Sequence, residues 1–404
     1  MNIKEVLRDE LAEISLSEQE EKEIKNQAEG LLLKLKSFGL NGIIGGSLAK
    51  ETMIKKDIQD VDIFIVFEKS IDIEAIEKAL IKSRIIFDRL HGSRDYFQVK
   101  KDNLAIELIP VMKNKEPEKA ENSTDLSLMH VDYVAEKISR KKYLADEIKL
   151  AKAFCYAQDC YGAESYIKGF SGYSLELLVI YFKGFVKFLK GIQKKRIIDI
   201  EKAYKNENQI KEELNESKLS SPIILIDPTY KKRNTAAGLS KETFERFLSA
   251  SKKLLKAPSQ DFFEHEIIDV EMLQNQAKKN KAELFEINFS TEKQEGDIAA
   301  TKMKKFFNFI VNEIKKNKQD VILSKFVYEE GQEAIGYIII KKQEQIEIMG
   351  PPARMKEAIK KFKIIHKKTY AKKGIVCAKK AIDLQGLFNH LKRFEDEMGV
   401  RFYL

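Results

Sequence analysis

Residues 60–67 read Asp-Val-Asp-Ile-Phe-Ile-Val-Phe, so two acidic residues stand at the head of a short apolar run. A run of this length that is apolar at successive positions predicts a strand buried on both faces of a sheet. Because alternate side chains of a strand share one face, Asp60 and Asp62 are expected on the same side, at the edge of this strand. Two carboxylates placed in this way can share divalent cations.

A Gly-Ser pair, Gly46-Ser47, precedes the acidic pair. Such a turn leaves backbone N–H groups free for a phosphate. Residues 48–52 are expected to form a first helical turn, whose positive dipole end attracts an anion. Lys50 adds a mobile positive charge beside it. The sequence therefore predicts a triphosphate site close to the two aspartates.

A third acid is needed to hold two Mg²⁺ ions firmly, because Mg²⁺ prefers oxygen ligands in octahedral geometry. The best candidate is Glu107, which lies within the apolar run 104–110. A lone carboxylate there is costly to bury unless a metal ion or another charge meets it. The alternative is that all three acids are ordinary polar residues at strand ends and bind no metal. The combination of a Gly-Ser turn, a D-x-D pair and a later acid favours the active-site layout of a nucleotidyltransferase.

Length and composition set broad limits. A chain of 404 residues is long enough for about two to four domains. No apolar stretch approaches the roughly 20 residues of a membrane span, and the N-terminus lacks the apolar core of a signal peptide. These features predict a cytoplasmic protein without a membrane partner. The three cysteines contain no C-x-x-C pair, which argues against a disulfide framework or a zinc site.

Positive charge is concentrated near the C-terminus. Residues 351–404 contain 14 Lys and Arg against 5 Asp and Glu, so this segment alone matches the net charge of +9 of the whole chain. A basic module of this kind predicts contact with a phosphate backbone. The alternative is a solvated lysine-rich face, and charge alone does not separate the two.

The hydrophobic periodicity predicts an α+β, multidomain protein. Residues 1–142 are expected to form a catalytic head with a mixed sheet, in which a capping-box pattern at Ser17 opens a helix. Residues 143–270 are expected to form a mostly helical neck, with 174–189 as one largely buried segment. Residues 271–404 are expected to form an α/β body with a basic tail, in which 384–398 is a helix.

The sequence resembles the archaeal-type class I CCA-adding enzymes, which are tRNA nucleotidyltransferases of the polymerase-β-like superfamily, over nearly its full length. The head motif, Gly46 to Lys50 with Asp60-Val61-Asp62, is shared across that superfamily. Three narrower stretches carry the family resemblance: Asn122-Ser123-Thr124-Asp125 before His130, Tyr161-Gly162-Ala163-Glu164 before Gly169-Phe170-Ser171-Gly172-Tyr173, and Ile226-Asp227-Pro228 before Lys232-Arg233-Asn234.

The resemblance implies a set of site residues. It implies nucleotide binding by Gly46, Ser47, Lys50, His130, Lys152, Tyr161, Arg233 and Asn234, and ligation of two Mg²⁺ ions by Asp60, Asp62 and Glu107. Arg233 resembles the arginine of the family that reads the base. The third acid of the family is usually Asp, and the match around residues 91–95 is poor.

Each of these residues also has a structural alternative. His130 could cap a helix, Lys152 and Tyr161 could lie on the surface of an amphipathic helix, and Arg233 could pair with Asp227. The glycines at 169 and 172 indicate a turn with close backbone packing. The role of Glu176 stays open between a paired core residue and a functional one.

The resemblance implies addition of C, C and A to the 3′ end of tRNA without a nucleic-acid template, with CTP and ATP as substrates and release of pyrophosphate. It further implies recognition of the tRNA acceptor stem and a homodimer. The alternatives are a poly(A) polymerase or an oligoadenylate synthetase, which share the head motif, and an RNA-binding module without catalysis.

Overall fold

The computed structural model describes residues 2–92, 94–113, 116–265, 268–292, 296–328, 331–341, 345–381 and 383–404. The chain divides into two compact units, 1–266 and 267–404. The division into a head, a neck and a body, with boundaries after residues 142 and 270, remains a prediction.

The first unit combines a five-stranded sheet, a helical region and a three-stranded sheet. Its helices are α1 (Ile3–Ile14), α2 (Glu18–Lys36), α3 (Gly46–Ala49), α4 (Ile73–Lys82), α5 (Ser127–Arg140), α6 (Tyr143–Ala157), α7 (Gly172–Phe182), α8 (Phe185–Gly191), α9 (Glu207–Glu213), α10 (Glu216–Leu219) and α11 (Lys241–Lys256). Its strands are β1 (Gly42–Ile44), β2 (Gln59–Phe67), β3 (Asp88–Leu90), β4 (Tyr96–Lys101), β5 (Leu104–Met112), β6 (Ile197–Asp199), β7 (Ile224–Asp227) and β8 (Tyr230–Asn234).

The five-stranded sheet is mixed. Its order is β1-β2-β5-β4-β3, in which β2 and β5 are parallel and the other neighbours are antiparallel. Helices α2 and α4 share an apolar core with this sheet, and α2 begins with the predicted capping box between Ser17 and Glu20. One expectation is wrong in detail: β2 begins at Gln59, so Asp60 and Asp62 lie within the strand and not at its edge.

The helical region has its own core, formed chiefly by α6, α7, α8 and α11. The buried segment predicted over 174–189 is two helices, because the chain takes a positive φ of 60° at Lys183 and 133° at Gly184. Glycine accepts such a backbone conformation without steric cost. Beside the helices, β6, β7 and β8 form the three-stranded sheet, with β6 parallel and β8 antiparallel to β7.

A buried carboxylate in α1 makes the stability of this unit depend on pH. Glu10 is 4% exposed and accepts a hydrogen bond from Gln260 Nε2 at 3.0 Å. Burial, helped by the charge of Glu13, raises the pKa of Glu10 to about 7. The unfolded chain releases this proton near pH 4, so the contribution of Glu10 to stability is most favourable below that pH and falls as pH rises toward 7.

Glu10→Gln is expected to remove this pH-dependent loss of folding stability, which amounts to about 3 kcal/mol at most. The measurement is the thermal unfolding of the full-length protein between pH 5 and 8, where the variant should show a smaller decline than the wild type. Glu23→Gln, at an exposed position of α2, is the control. A Glu10→Gln variant with the wild-type pH dependence would contradict the assignment.

The second unit contains two antiparallel sheets with helices packed on them. Its helices are α12 (Val270–Lys279), α13 (Gly296–Lys316), α14 (Lys356–Ile365), α15 (Leu384–Leu391) and α16 (Glu395–Met398). Its strands are β9 (Ala282–Ser290), β10 (Val321–Val327), β11 (Glu333–Lys341), β12 (Gln345–Pro352), β13 (Thr369–Lys372), β14 (Ile375–Ala381) and β15 (Arg401–Tyr403).

One sheet of this unit has the order β10-β11-β9-β15, and the other has the order β12-β14-β13. The helix predicted over 384–398 is divided, because a 3-10 turn at Lys392–Phe394 separates α15 from α16. The predicted α+β class is confirmed. Among the described residues, no helix is both long and apolar enough to cross a membrane.

Candidate active site

The three acidic residues singled out in the sequence lie on one face of the five-stranded sheet. Asp62 on β2 and Glu107 on β5 are direct partners in the parallel register, so their side chains point the same way. Asp60 precedes Asp62 by two positions on the same strand and shares that face. Adjacent strands lie about 4.8 Å apart, which brings the Asp62 and Glu107 carboxylates side by side.

Burial, together with the crowding of negative charge, disfavours ionisation of Asp62 and Glu107. Burial raises the pKa of Asp62, with Lys50 opposing the shift and Asp60 adding to it. Burial, followed by the charges of Asp62 and Asp60, raises the pKa of Glu107 to about 7. Like charges held close in a partly buried site need a positive charge between them.

A tight turn brings the backbone against Asp62. Gly46 has a φ of +57°, and a Cβ atom there would lie 1.6 Å from Asp62 Oδ2. The N–H of Gly45 donates to the carbonyl oxygen of Asp62 at 2.8 Å. The sequence therefore needs glycine at 46 for two reasons: the backbone conformation and the lack of room beside the carboxylate.

The donor set suits a hard divalent cation. All three side chains offer carboxylate oxygens, the ligands that Mg²⁺ prefers. Asp60 Oδ2 accepts from Lys56 Nζ at 3.0 Å, and Glu107 Oε1 accepts from Gln98 Nε2 at 3.2 Å. Within the part of the chain that the structure describes, no three His, Cys, Asp or Glu side chains are drawn together around one point.

Two lysines predicted to bind the nucleotide meet on one buried carboxylate. Glu176 on α7 accepts from Lys50 Nζ at 2.7 Å and from Lys152 Nζ at 2.9 Å. Lys152 also donates to the hydroxyl and carbonyl oxygens of Thr52, at 2.9 and 3.2 Å. With the bond to Glu176, these contacts use all three N–H donors of Lys152. Although burial opposes ionisation, the two lysines hold the pKa of Glu176 at about 2. Glu176 is therefore a paired residue that holds Lys50 at the edge of the site.

A second buried cluster surrounds Asp227 at the end of β7. Arg233 Nη1 lies 2.8 Å from Asp227 Oδ2, and His130 Nε2 lies 3.1 Å from the same oxygen. The Tyr173 ring stacks on the His130 ring with a centroid distance of 4.0 Å. Burial lowers the pKa of His130, while Asp227 partly opposes that shift. The pairing of Arg233 with Asp227, considered as an alternative above, is present.

A cavity of about 430 Å³ opens in front of these groups. Of the predicted site residues, it is lined by Gly46, Lys50, Asp62, Glu107 and His130. The described lining does not include Ser47, Asp60, Lys152, Tyr161, Arg233 or Asn234. It adds Arg94, Tyr96, Thr124, Ser127 and Tyr173, which the sequence did not single out as site residues.

Two of the predicted nucleotide-binding residues have evident internal contacts. The amide of Asn234 accepts from the N–H groups of Leu225 and Ala236 and donates to the carbonyl oxygens of Lys218 and Ile223. Tyr161 lies against α7, where a Cβ atom at Gly172 would approach its hydroxyl oxygen to 2.9 Å. A Cβ atom at Gly169 would meet the Cys160 carbonyl oxygen at 2.3 Å, which agrees with the expected close packing at these glycines.

The segment 91–95, of which Ser93 lies outside the described residues, contributes an arginine that sequence reasoning missed. Arg94 donates to the Asp125 carboxylate at 2.6 Å and to the Pro110 carbonyl oxygen at 3.0 Å. Asp125 also accepts from the N–H of Met112, at the end of β5. The available signal was Asp125 itself, because a buried aspartate in that motif needs a cationic partner.

The fold is that of a nucleotidyltransferase. The chain is similar to a cytoplasmic RNA terminal U-transferase, with a TM-score of 0.52 and 15% identity, over 66% of this chain and all of that one. It is similar to the Cid1 poly(U) polymerase at the same TM-score and identity, over 65% of this chain and 98% of the other. At this level of identity the likeness concerns the fold alone.

The family is defined by closer relatives. Residues 146–264 match the second domain of tRNA nucleotidyltransferases. The chain is 36% identical to the CCA-adding enzyme of Nanoarchaeum equitans over 320 residues, which cover 77% of this chain and 76% of the relative. It is 32% identical to that of Methanocaldococcus jannaschii, over 65% of this chain and 62% of the relative. The chain belongs to the family of CCA-adding enzymes, as the resemblance implied.

Proposed function

We propose that this protein adds C, C and A to the 3′ end of tRNA, without a nucleic-acid template, from CTP and ATP. The observation that carries the proposal is the shared face of Asp60, Asp62 and Glu107, which lies against the Gly46 turn in a member of the CCA-adding family. In the reaction, the tRNA 3′-oxygen forms a bond to the α-phosphorus, and the bond from that phosphorus to the pyrophosphate breaks.

The acidic residues are assigned to the metal ions, and the basic residue Lys50 is assigned to the triphosphate. Asp60, Asp62 and Glu107 would hold two Mg²⁺ ions, which, when bound, lower the pKa of the attacking hydroxyl and stabilise the leaving pyrophosphate. Lys50 lines the cavity and contacts Glu176 with one N–H, so its ammonium group can face a triphosphate. Ser47 lies on α3, three residues before Lys50. A phosphate oxygen of the nucleotide would meet the chain at this turn.

Base choice is assigned to Arg233. C and A carry a ring nitrogen acceptor, N3 or N1, where U and G carry an N–H donor. A guanidinium only donates hydrogen bonds, so it can bind the acceptor nitrogen of C or A, and it cannot pair with the N–H of U or G. Arg233 is 28% exposed in its side chain. Its Nη1 lies 2.8 Å from Asp227 Oδ2 and 3.2 Å from His130 Nε2, which leaves the N–H groups of Nη2 and Nε as candidates for the base.

The tRNA is expected to be held by shape and backbone charge. The deep major groove of an A-form acceptor stem resists side chains, so phosphates and the minor groove are the accessible features. The exposed lysines of the segment 351–404 include Lys360, Lys361, Lys363, Lys367 and Lys368. These side chains can approach a phosphate backbone. The homodimer and the cytoplasmic location remain predictions.

The test is to incubate the full-length protein with CTP, ATP, MgCl₂ and a tRNA transcript that lacks its last three nucleotides, and then to sequence the 3′ ends. We expect C, C and A to be added and extension to stop there. The matched control is the same transcript with an intact CCA end, which should not be extended.

Three other outcomes would reject the proposal. A homopolymeric A tail would indicate a poly(A) polymerase. A 2′–5′ linkage would indicate an oligoadenylate synthetase. Binding of tRNA without any extension would indicate an RNA-binding module.

A further inference from the structure

Asp227 is a fully buried carboxylate that the proposed reaction has not yet used. It ends β7, and neither of its oxygens is exposed to solvent. Oδ1 accepts from the Thr229 N–H at 2.9 Å, from the Thr229 hydroxyl at 2.7 Å and from the Tyr173 hydroxyl at 3.1 Å. Bonds from two separate elements therefore fix the plane of this carboxylate before it meets any other partner.

The other oxygen faces the groups that line or flank the cavity. Oδ2 lies 2.8 Å from Arg233 Nη1 and 3.1 Å from His130 Nε2. Although burial opposes ionisation, bonds from His130 and Thr229 and the charge of Arg233 keep the pKa of Asp227 well below its usual range. An ionised carboxylate only accepts hydrogen bonds, and Arg233 Nη1 supplies a donor to Oδ2. The same Nη1 lies 3.2 Å from His130 Nε2, so Asp227, Arg233 and His130 meet in one cluster.

We propose that Asp227 is a positioning residue that determines base specificity, because it fixes the guanidinium of Arg233 in the orientation that separates C and A from U and G. The inference rests on the proposed function. Asp227 itself would not touch the nucleotide.

The physical reason lies in the flexibility of arginine. Its side chain has many rotamers and loses conformational entropy when it is held in one of them. Arg233 Nη1 is held by Asp227 Oδ2 at 2.8 Å and lies 3.2 Å from His130 Nε2, so one end of the planar guanidinium is fixed and the range of directions open to its remaining N–H donors is restricted. If the guanidinium were free to rotate, it could also donate to O4 of U or O6 of G. The selectivity of a donor therefore depends on its being unable to turn toward these neighbouring acceptors.

The test compares Asp227→Asn with the wild type, both as full-length protein. Asparagine has the same shape, but it can accept on one side only, so its NH₂ group faces either the Thr229 and Tyr173 donors or the Arg233 donor. The measured quantity is kcat/KM for each of CTP, ATP, UTP and GTP on tRNA transcripts that end before C or before A. We expect the preference for the correct nucleotide over UTP and GTP to fall about tenfold or more.

Two comparisons separate specificity from folding. Asp199→Asn removes a carboxylate of the same small sheet, which accepts from the N–H groups of Ala203 and Tyr204, and it should leave the four-nucleotide preference unchanged. In an Arg233→Ala background, Asp227→Asn should change the preference by less than twofold, because both substitutions remove one interaction. A general loss of folded protein would lower all four values together.

If Asp227→Asn does not fold, Thr229→Val gives a milder test, because it removes one of the donors that fix Oδ1. We expect it to lower the preference about two- to threefold. The inference is overturned if Asp227→Asn, or in its absence Thr229→Val, keeps the wild-type preference while Arg233→Ala loses it. If the wild type itself shows no preference for C and A, the proposed function fails instead, and the two failures are distinct.

Discussion

Asp62→Asn is expected to reduce nucleotide transfer about 1,000-fold or more while tRNA affinity stays within about twofold. The carboxylate lies between Glu107 on the neighbouring strand and the Gly46 turn, so it is the central acid of the proposed metal site. Charge stabilisation by a metal site is worth several kcal/mol, and about 4 kcal/mol corresponds to 1,000-fold in rate. The measurement is single-turnover transfer of CMP, paired with a tRNA filter-binding assay.

Asp57→Asn is the matched control for this prediction, because Asp57 is an exposed aspartate five residues before Asp62 and lies outside β2. It should keep transfer within about twofold of the wild type. Retention of more than a tenth of the wild-type rate by Asp62→Asn would exclude a central role for this carboxylate. A parallel loss of tRNA binding would instead indicate that the substitution disturbs the fold.

The part of the site that the sequence predicts best is the part encoded by local pattern. The apolar run after Asp62 and the run around Glu107 form neighbouring strands. A short, uninterrupted apolar run is typical of a strand that is buried on both faces of a sheet. The capping box at Ser17 opens α2 where expected, because both of its hydrogen bonds form within one turn. In each case the deciding interaction spans few residues or a single strand pairing.

The remainder depends on contacts between distant positions. Glu176 meets Lys50 across 126 residues and Asp227 meets His130 across 97 residues, so periodicity alone could not reveal either pairing. Lys152 illustrates the consequence. Its position on α6 fits a nucleotide ligand by resemblance, yet in the structure its ammonium group bonds to Thr52 and Glu176. Which charged groups face the cavity and which support them follows from tertiary packing.

Gly46→Ala is expected to lower nucleotide transfer about 100-fold and to raise the Mg²⁺ concentration needed for half-maximal rate. Two effects act at this position. Alanine is strained at a φ of +57°, which costs about 1 to 3 kcal/mol. In addition, its Cβ atom would lie 1.6 Å from Asp62 Oδ2, so the carboxylate or the turn must move. Displacement of about 1 Å in a catalytic group is enough to cost about 100-fold in rate.

Gly39→Ala separates these two effects. Gly39 has a φ of +81°, but a Cβ atom there would meet nothing within 4 Å. Both variants should therefore lose the stability that backbone strain costs, and Gly46→Ala should lose more because of the contact with Asp62, while Gly39→Ala keeps the wild-type rate and Mg²⁺ dependence. The measurements are thermal unfolding and initial rates over a range of MgCl₂ concentrations. If the two variants lose activity equally, backbone strain alone explains the loss, and the close approach of Gly46 to Asp62 has no part in catalysis.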